Sequence, residues 1–226
     1  MITIKKAENL REYRELYALR SKAHMQEKEN SGSSSLSAEK NEKDSFDSFA
    51  VHFVALDPKR EVIGTVRLIA DADSPQGLPV KYHPGLFSSH FSTLHSAEIS
   101  QFAADKRIKS ENLFLSLFRA VYQYCVKMKI VTVYLNLDEE CLNLLKQMGF
   151  RITVMGRTER FQYHETLPAK WDMADVESHL RLKNSKIYSW LHQNARFAEG
   201  EGDLMTILHP AYSSFFDIHP LSIARG

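Results

Sequence analysis

Residues 61–70 constrain this chain most. They have the apolar, β-branched content of a strand, with Val62, Val66 and Leu68 on one side and Ile63 and Ile69 on the other. A strand apolar on both faces is stable only in a sheet covered on both faces, so the chain must supply two covering layers. The preceding residues 48–56 are also β-rich, and the turn chemistry of Asp57-Pro58-Lys59-Arg60 between the two segments predicts a hairpin. Helical periodicity supplies the layers. Over residues 7–25, Leu10, Tyr13, Tyr17, Arg20 and His24 form one stripe, with Leu16, Leu19 and Ala23 beside it. Residues 110–129 repeat the pattern through Leu113, Leu117, Ala120, Val121 and Tyr124. A third helix is predicted over 138–148 with Gly149 as its cap, and a fourth over 173–194. Short strands are expected at 2–4, 97–104, 130–137, 151–155 and 160–164. The resulting order through residue 155, β-α-β-β-β-α-β-α-β, predicts an α/β (α+β) fold with a mixed sheet and helices on both faces.

A chain of 226 residues, 43% of them apolar, can bury one good core. We expect one domain over residues 1–172, with residues 173–226 forming a helix and a tail packed on it. The tail carries Tyr212, Phe215 and Phe216. Residues 28–43, centred on Ser31-Gly32-Ser33-Ser34-Ser35, lack apolar anchors and read as a mobile loop. Residues 71–95, rich in proline and glycine, read as a long irregular connection of the kind that often carries function. A formal charge of +1 offers no global field for nucleic acid or an anionic membrane. Polar residues interrupt the first apolar positions before a signal core forms, and no run is long enough to span a bilayer. We therefore expect a cytoplasmic protein with no integral membrane association. Cys125 and Cys141 read as reduced structural thiols, and the ten histidines show no metal-site spacing, so no metal is expected.

Four short motifs occur in order. They are Leu16-Tyr17-Ala18-Leu19-Arg20, Asp44-Ser45-Phe46-Asp47, Gly64-Thr65-Val66-Arg67-Leu68, and Glu98-Ile99-Ser100-Gln101-Phe102-Ala103. Together they resemble the autoinducer (acyl-homoserine-lactone) synthases and the long-chain N-acyl amino acid synthases of the GNAT superfamily, over roughly residues 10–170. The resemblance implies a GNAT-like, splayed mixed sheet flanked by helices, in a bacterial acyltransferase; the C-terminal helical extension, residues 173–226, has no counterpart in it. Gln101 stands where that family has arginine, and the family's first-loop tryptophan has no counterpart, which leaves the acyl acceptor open.

The implied reaction moves a medium or long acyl chain from acyl carrier protein to the amine of a small amino-acid-like acceptor. The co-substrate is an acyl-phosphopantetheine thioester on carrier protein or CoA, with no tightly bound cofactor. Glu98, alone in an apolar strand, is the candidate base, because burial would raise its pKa toward a useful value. Its alternative reading is a solvent-facing or salt-bridged strand glutamate. Asp44 and Asp47 would face a substrate ammonium if their segment turns, or else keep a loop soluble. Arg67, on a face expected to be buried, needs a carboxylate from Asp44, Asp47 or Glu98, or a substrate oxygen. Arg20 either joins that site or complements its helix dipole. Strict alternation places Ser100 and Phe102 on the face of Glu98, with Gln101 opposite unless the strand is bulged. Phe102 would line the acyl pocket with Phe114, Leu117, Phe118, Val133 and Leu135, which are equally well explained as core. His52 reads as a satisfied core histidine.

The stretch Lys106-Arg107-Ile108-Lys109-Ser110-Glu111 lacks the glycines that cradle CoA pyrophosphate in acetyl-CoA users of this fold. Lys106, Arg107 and Lys109 are therefore candidate contacts for an acidic carrier protein, or else a solvated loop. The remaining alternatives are an acetyl-CoA-dependent acetyltransferase and a non-catalytic module that binds an acyl group or carrier protein.

Overall fold

The computed structural model describes residues 2–30, 43–87, 95–105, 111–161 and 164–193. The elements run β1 (Thr3–Lys6), α1 (Leu10–Asn30), β2 (Ala50–Leu56), β3 (Val62–Ala70), β4 (Ser96–Ala104), α2 (Glu111–Lys127), β5 (Thr132–Leu137), α3 (Glu139–Met148), β6 (Thr153–Val154), β7 (Glu159–Phe161), β8 (His164–Asp172), α4 (Met173–Lys183) and α5 (Ser185–His192). Single-turn 3₁₀ helices occur at Ser45–Phe49, Asp71–Asp73 and Pro79–Tyr82. The strands form one sheet in the order β1-β2-β3-β4-β5-β8-β6, with β7 paired to β8. The sheet is mixed. β4 and β5 are parallel and the other pairings antiparallel.

The two covering layers are present and unequal. On one face, Phe53, Ile63, Val66, Leu68, Ile99 and Val133 join the buried residues of α2, α3, α4 and α5 in a single apolar cluster. Trp171 is its largest fully buried member, edge-on to Phe150 at 5.2 Å. On the other face, α1 covers Val54 and Leu56 with Leu16, and Ala103 with Leu19 and Ala23. Beyond α1, that face is closed by Leu78 and Val80, which pack on Ile69 and Tyr134. Helix α3 begins where Asp138 accepts a hydrogen bond from the Cys141 N–H at 2.6 Å and ends on Gly149 as expected. Gly149 adopts φ +99°, and a Cβ there would meet Leu180 at 2.9 Å.

Several expectations are corrected. Helix α1 continues to Asn30, so residues 28–30 of the predicted loop are helical. The run Gln26-Glu27-Lys28-Glu29 is polar, but each of these residues is a good helix former. The remainder of that loop, residues 31–42, lies outside the described residues. Ile63 is a bulge residue, because Ala55 pairs with Gly64 while Leu56 pairs with Val62. The bulge moves Val62 to the α1 face and puts Ile63 with Val66 and Leu68, reversing the predicted sides of Val62 and Ile63. The predicted strand at 160–164 is met in part by β7 at Glu159–Phe161, while the nine-residue β8 that follows is not predicted, because Pro168 within it reads as a strand breaker in sequence. Asn184 divides the predicted C-terminal helix into α4 and α5, and its side chain caps α5 by accepting from the Ile187 N–H. Residues 194–226, with Tyr212, Phe215 and Phe216, lie outside the described residues. Among the described residues, no helix is long and apolar enough to cross a membrane.

Candidate active site

The parallel strands β4 and β5 pair over only three residues: Ser96 with Thr132, Ala97 with Val133, and Glu98 with Tyr134. Both strands continue, β4 to Ala104 and β5 to Leu137, so the ladder ends at Glu98 and the strands splay beyond it. Glu98 therefore sits at the apex of a widening gap. It is fully buried, flanked by Ile69 on β3 and Tyr134 on β5. Its Oε2 accepts a hydrogen bond from the Val80 N–H at 2.7 Å, while Oε1 has no hydrogen-bond partner among the described residues. Burial pushes its pKa up to about 8, against the opposing pull of the Val80 N–H and the Arg67 charge.

Beside Glu98 lies a compact ionic cluster. The Arg20 guanidinium donates to both Asp47 oxygens, at 2.9 and 3.3 Å. Arg67 donates through Nη1 to Asp44 at 2.7 and 2.8 Å and to Asp47 at 3.1 Å, and through Nε to the Ser100 Oγ at 3.1 Å. A capping box builds the carboxylate pair. Asp44 accepts from the Phe46 and Asp47 N–H groups, and Asp47 accepts from the Asp44 N–H. Two arginines thus face two aspartates in charge balance, and Arg67 takes its partners from Asp44 and Asp47, not Glu98. Burial opposes ionisation of Asp47, but the Arg20 and Arg67 charges hold its pKa below the ordinary carboxylate value. His52 stands 3.4 Å from Asp47 and edge-on to Tyr13 and Tyr17. Burial pushes its pKa down to about 4, so it is neutral near pH 7.

The geometry brings Arg20, Asp44, Asp47, Arg67 and Ser100 together with Glu98 nearby, and it changes three assignments. Asp47 does not share an open acidic site with Asp44: its side chain is wholly buried, whereas that of Asp44 is 34% exposed. Phe102 does not share the face of Glu98. Arg67 pairs with Ser100 and Thr65 with Ala103, so β4 spends two residues, Gln101 and Phe102, against Val66 alone. This bulge holds Gln101 at φ +54° and turns Phe102 to the opposite face, where it meets Phe114 edge-on at 5.0 Å. Phe102 still lies in one cluster with Leu117, Phe118, Val133 and Leu135. His52 is not the satisfied core histidine expected: among the described residues neither ring nitrogen meets a partner with hydrogen-bond geometry, and the Asp47 carboxylate stands 3.4 Å from Nε2. Lys106, Arg107 and Lys109 lie outside the described residues. The Val80 N–H and Tyr134 escaped the sequence reading, since the first lies in an irregular connection and the second resembles any core aromatic. No group of three or more His, Cys, Asp or Glu side chains among the described residues is arranged to hold a metal ion.

Residues 15–162, about two thirds of the chain, match the family described as N-acyl amino acid synthase FeeM. The chain belongs to the FeeM family. It is accordingly an acyltransferase of the N-acyl amino acid synthase family. The FeeM-family match spans all the clustered residues, from Arg20 to Ser100. Solved structures share its fold. FeeM itself, an N-acyl amino acid synthase from uncultured soil microbes, has TM-score 0.58 and 17% identity, covering 79% of this chain and 94% of its own. The AHL synthase LasI has TM-score 0.61 and 15% identity, covering 76% and 89%. BjaI, a CoA-dependent acyl-homoserine lactone synthase solved with SAM and isopentyl-CoA, has TM-score 0.58 and 21% identity, covering 85% and 87%. No curated protein matches the chain in sequence.

Proposed function

We propose that this FeeM-family acyltransferase moves a medium or long acyl chain from the phosphopantetheine thioester of acyl carrier protein to the amine of an amino-acid-like acceptor, with Glu98 as the base. The observation that carries the reading is a fully buried carboxylate, with a pKa near 8, at the point where β4 and β5 part. A free α-amine has a pKa of about 7.7–8.0, so base and nucleophile are matched for proton transfer near neutrality. The amine nitrogen attacks the thioester carbonyl carbon and its proton passes to Glu98; the C–S bond breaks to expel the pantetheine thiolate, which takes that proton back from Glu98 and leaves as the thiol. The new bond is an amide, and no covalent enzyme intermediate is needed.

The two sheet faces suit different parts of this reaction. The polar face of β4, with Glu98, Ser100 and the arginine–aspartate cluster, is chemically suited to the acceptor; the partly exposed Asp44 is the carboxylate an ammonium can approach. The apolar face, with Phe102, Phe114 and Phe118, is suited to the acyl chain. The glycine-free stretch at 106–111 favours a carrier protein over CoA. CoA is the second reading for the donor, because the similar fold of BjaI belongs to a CoA-dependent enzyme. The test incubates the full chain with acyl carrier protein or CoA carrying the same acyl group and a pool of amino acids, with products read by mass spectrometry. Expected is an N-acyl product formed in step with free thiol, faster from carrier protein. Consumption of neither donor with any amine would sink the proposal, and faster turnover of acyl-CoA would reassign the donor.

A further inference from the structure

The polar sheet face holds a second buried group that the mechanism above does not use. Asn136 lies on β5 two residues beyond Tyr134, so strand alternation gives it the same face as Tyr134 and Glu98. It is 1% exposed, and neither its Nδ2 nor its Oδ1 has a hydrogen-bond partner among the described residues. Its register partner on β8 is Pro168, whose side chain offers no polar atom. A buried carboxamide with both ends unpaired is costly to the fold, so its presence needs a reason beyond packing.

Its position supplies one. Asn136 stands past the last paired rung of β4 and β5, on one wall of the widening gap; the other wall carries Ser100 and its partner Arg67. A strand spacing of about 4.8 Å and an advance of about 6.6 Å for two residues put its Cα about 8 Å from that of Glu98. With a hydrogen bond of about 2.9 Å at each end, that interval leaves room for two or three bonded atoms. We propose that Asn136 selects the acyl acceptor by holding a neutral group that both donates and accepts a hydrogen bond, a hydroxyl or a carboxamide, two or three atoms from the attacking amine. A carboxylate only accepts; it would satisfy Nδ2 and leave Oδ1 facing a negative charge. An alkyl group would satisfy neither. The nearby guanidinium charges of Arg20 and Arg67 are already balanced by Asp44 and Asp47. This inference rests on the proposed acyl transfer and narrows its acceptor.

The experiment measures thiol release by the full chain with glycinamide, glycine or propylamine as acceptor, using whichever donor is consumed. With kcat/KM calculated on the free-amine concentration of each acceptor, native protein is expected to prefer glycinamide about ten-fold or more, the scale of one buried hydrogen-bonding group left unmatched. Asn136→Leu should collapse that preference to about two-fold while leaving the KM for the donor unchanged. Asn136→Ala, which cannot overfill the site, should do the same. Equal use of propylamine by the native protein, or a preference that survives in both variants, would overturn the assignment. So would thiol release with amino acids that lack a side-chain hydroxyl or carboxamide but with none of these three. Absence of release with any amine would instead condemn the proposed acyl transfer, and this inference with it.

Discussion

Glu98 is held by one N–H from Val80 and lies beside the ionic cluster, but its proton is governed mainly by burial. Replacing it with Gln keeps the shape and still accepts the Val80 bond, but removes the base. Acyl transfer should fall at least about 100-fold, with no loss of melting temperature. Expressed per concentration of free amine, the wild-type rate should rise with pH toward a plateau above about 8, and Glu98→Gln should abolish that limb. Stability carries the opposite slope. From the ordinary value of 4.5 up to about 8, the unfolded chain has released this proton and the folded one has not. The contribution is full below 4.5 and is lost as pH rises toward 8, so melting curves at pH 5 and pH 8 should differ less in Glu98→Gln than in the native protein. Asp47 behaves inversely, because its folded pKa lies below 3.8: its stabilisation is present above that value and lost as pH falls through the folded one. Asp47→Asn would leave Arg20 without its salt-bridge partner and Arg67 with Asp44. Urea denaturation should show a loss of about 3–5 kcal/mol.

Two short elements carry geometry that no long helix could supply. The 3₁₀ turn Ser45–Phe49 is built by its own aspartates, which then bind arginines from α1 and β3, so the same two side chains make the local turn and the tertiary clamp. The bulge in β4 does comparable work. By inserting Gln101 against Val66, it lets Glu98 and Ser100 serve the polar face and Phe102 serve the core four residues after Glu98. Because Gln101 has φ +54°, Gln101→Val, β-branched in the left-handed region, should be less stable than Gln101→Gly by roughly 1–2 kcal/mol in chemical denaturation. The residues of this strand were legible in sequence as a motif. Their faces were not, since an alternation rule has no way to register an extra residue whose only cause is the partner strand.

Across the whole molecule, the two sheet faces are divided by chemistry. One is a continuous apolar cluster under α2, α3, α4 and α5; the other is broken by α1, the ionic cluster and the turns around Leu78 and Val80. The splay of β4 from β5 connects the faces at Glu98. Cys125 and Cys141 lie deep in the apolar cluster, and burial pushes the Cys125 thiol up to about 12 and that of Cys141 well above its ordinary value. Neither should react with a disulfide reagent such as Ellman's while the protein is folded, and both should react on denaturation in guanidinium. Fast native-state labelling would mean that the α2 layer opens far more readily than its packing implies.

Periodicity and composition alone determined a mixed sheet covered on both faces, the hairpin from β2 to β3, and the cap on α3 at Gly149, because these depend on local pattern. The resemblance of four short motifs to a known family, and not periodicity, marked Arg20, Asp44, Asp47, Arg67, Glu98 and Ser100 as a group. Only the tertiary structure decided which charge meets which, since Arg20 and Asp47 are 27 residues apart and nothing local couples them. It alone placed the Val80 N–H on Glu98, ended the β4–β5 ladder at that residue, and sent Phe102 to the other face. Each of these is fixed by contacts between distant segments.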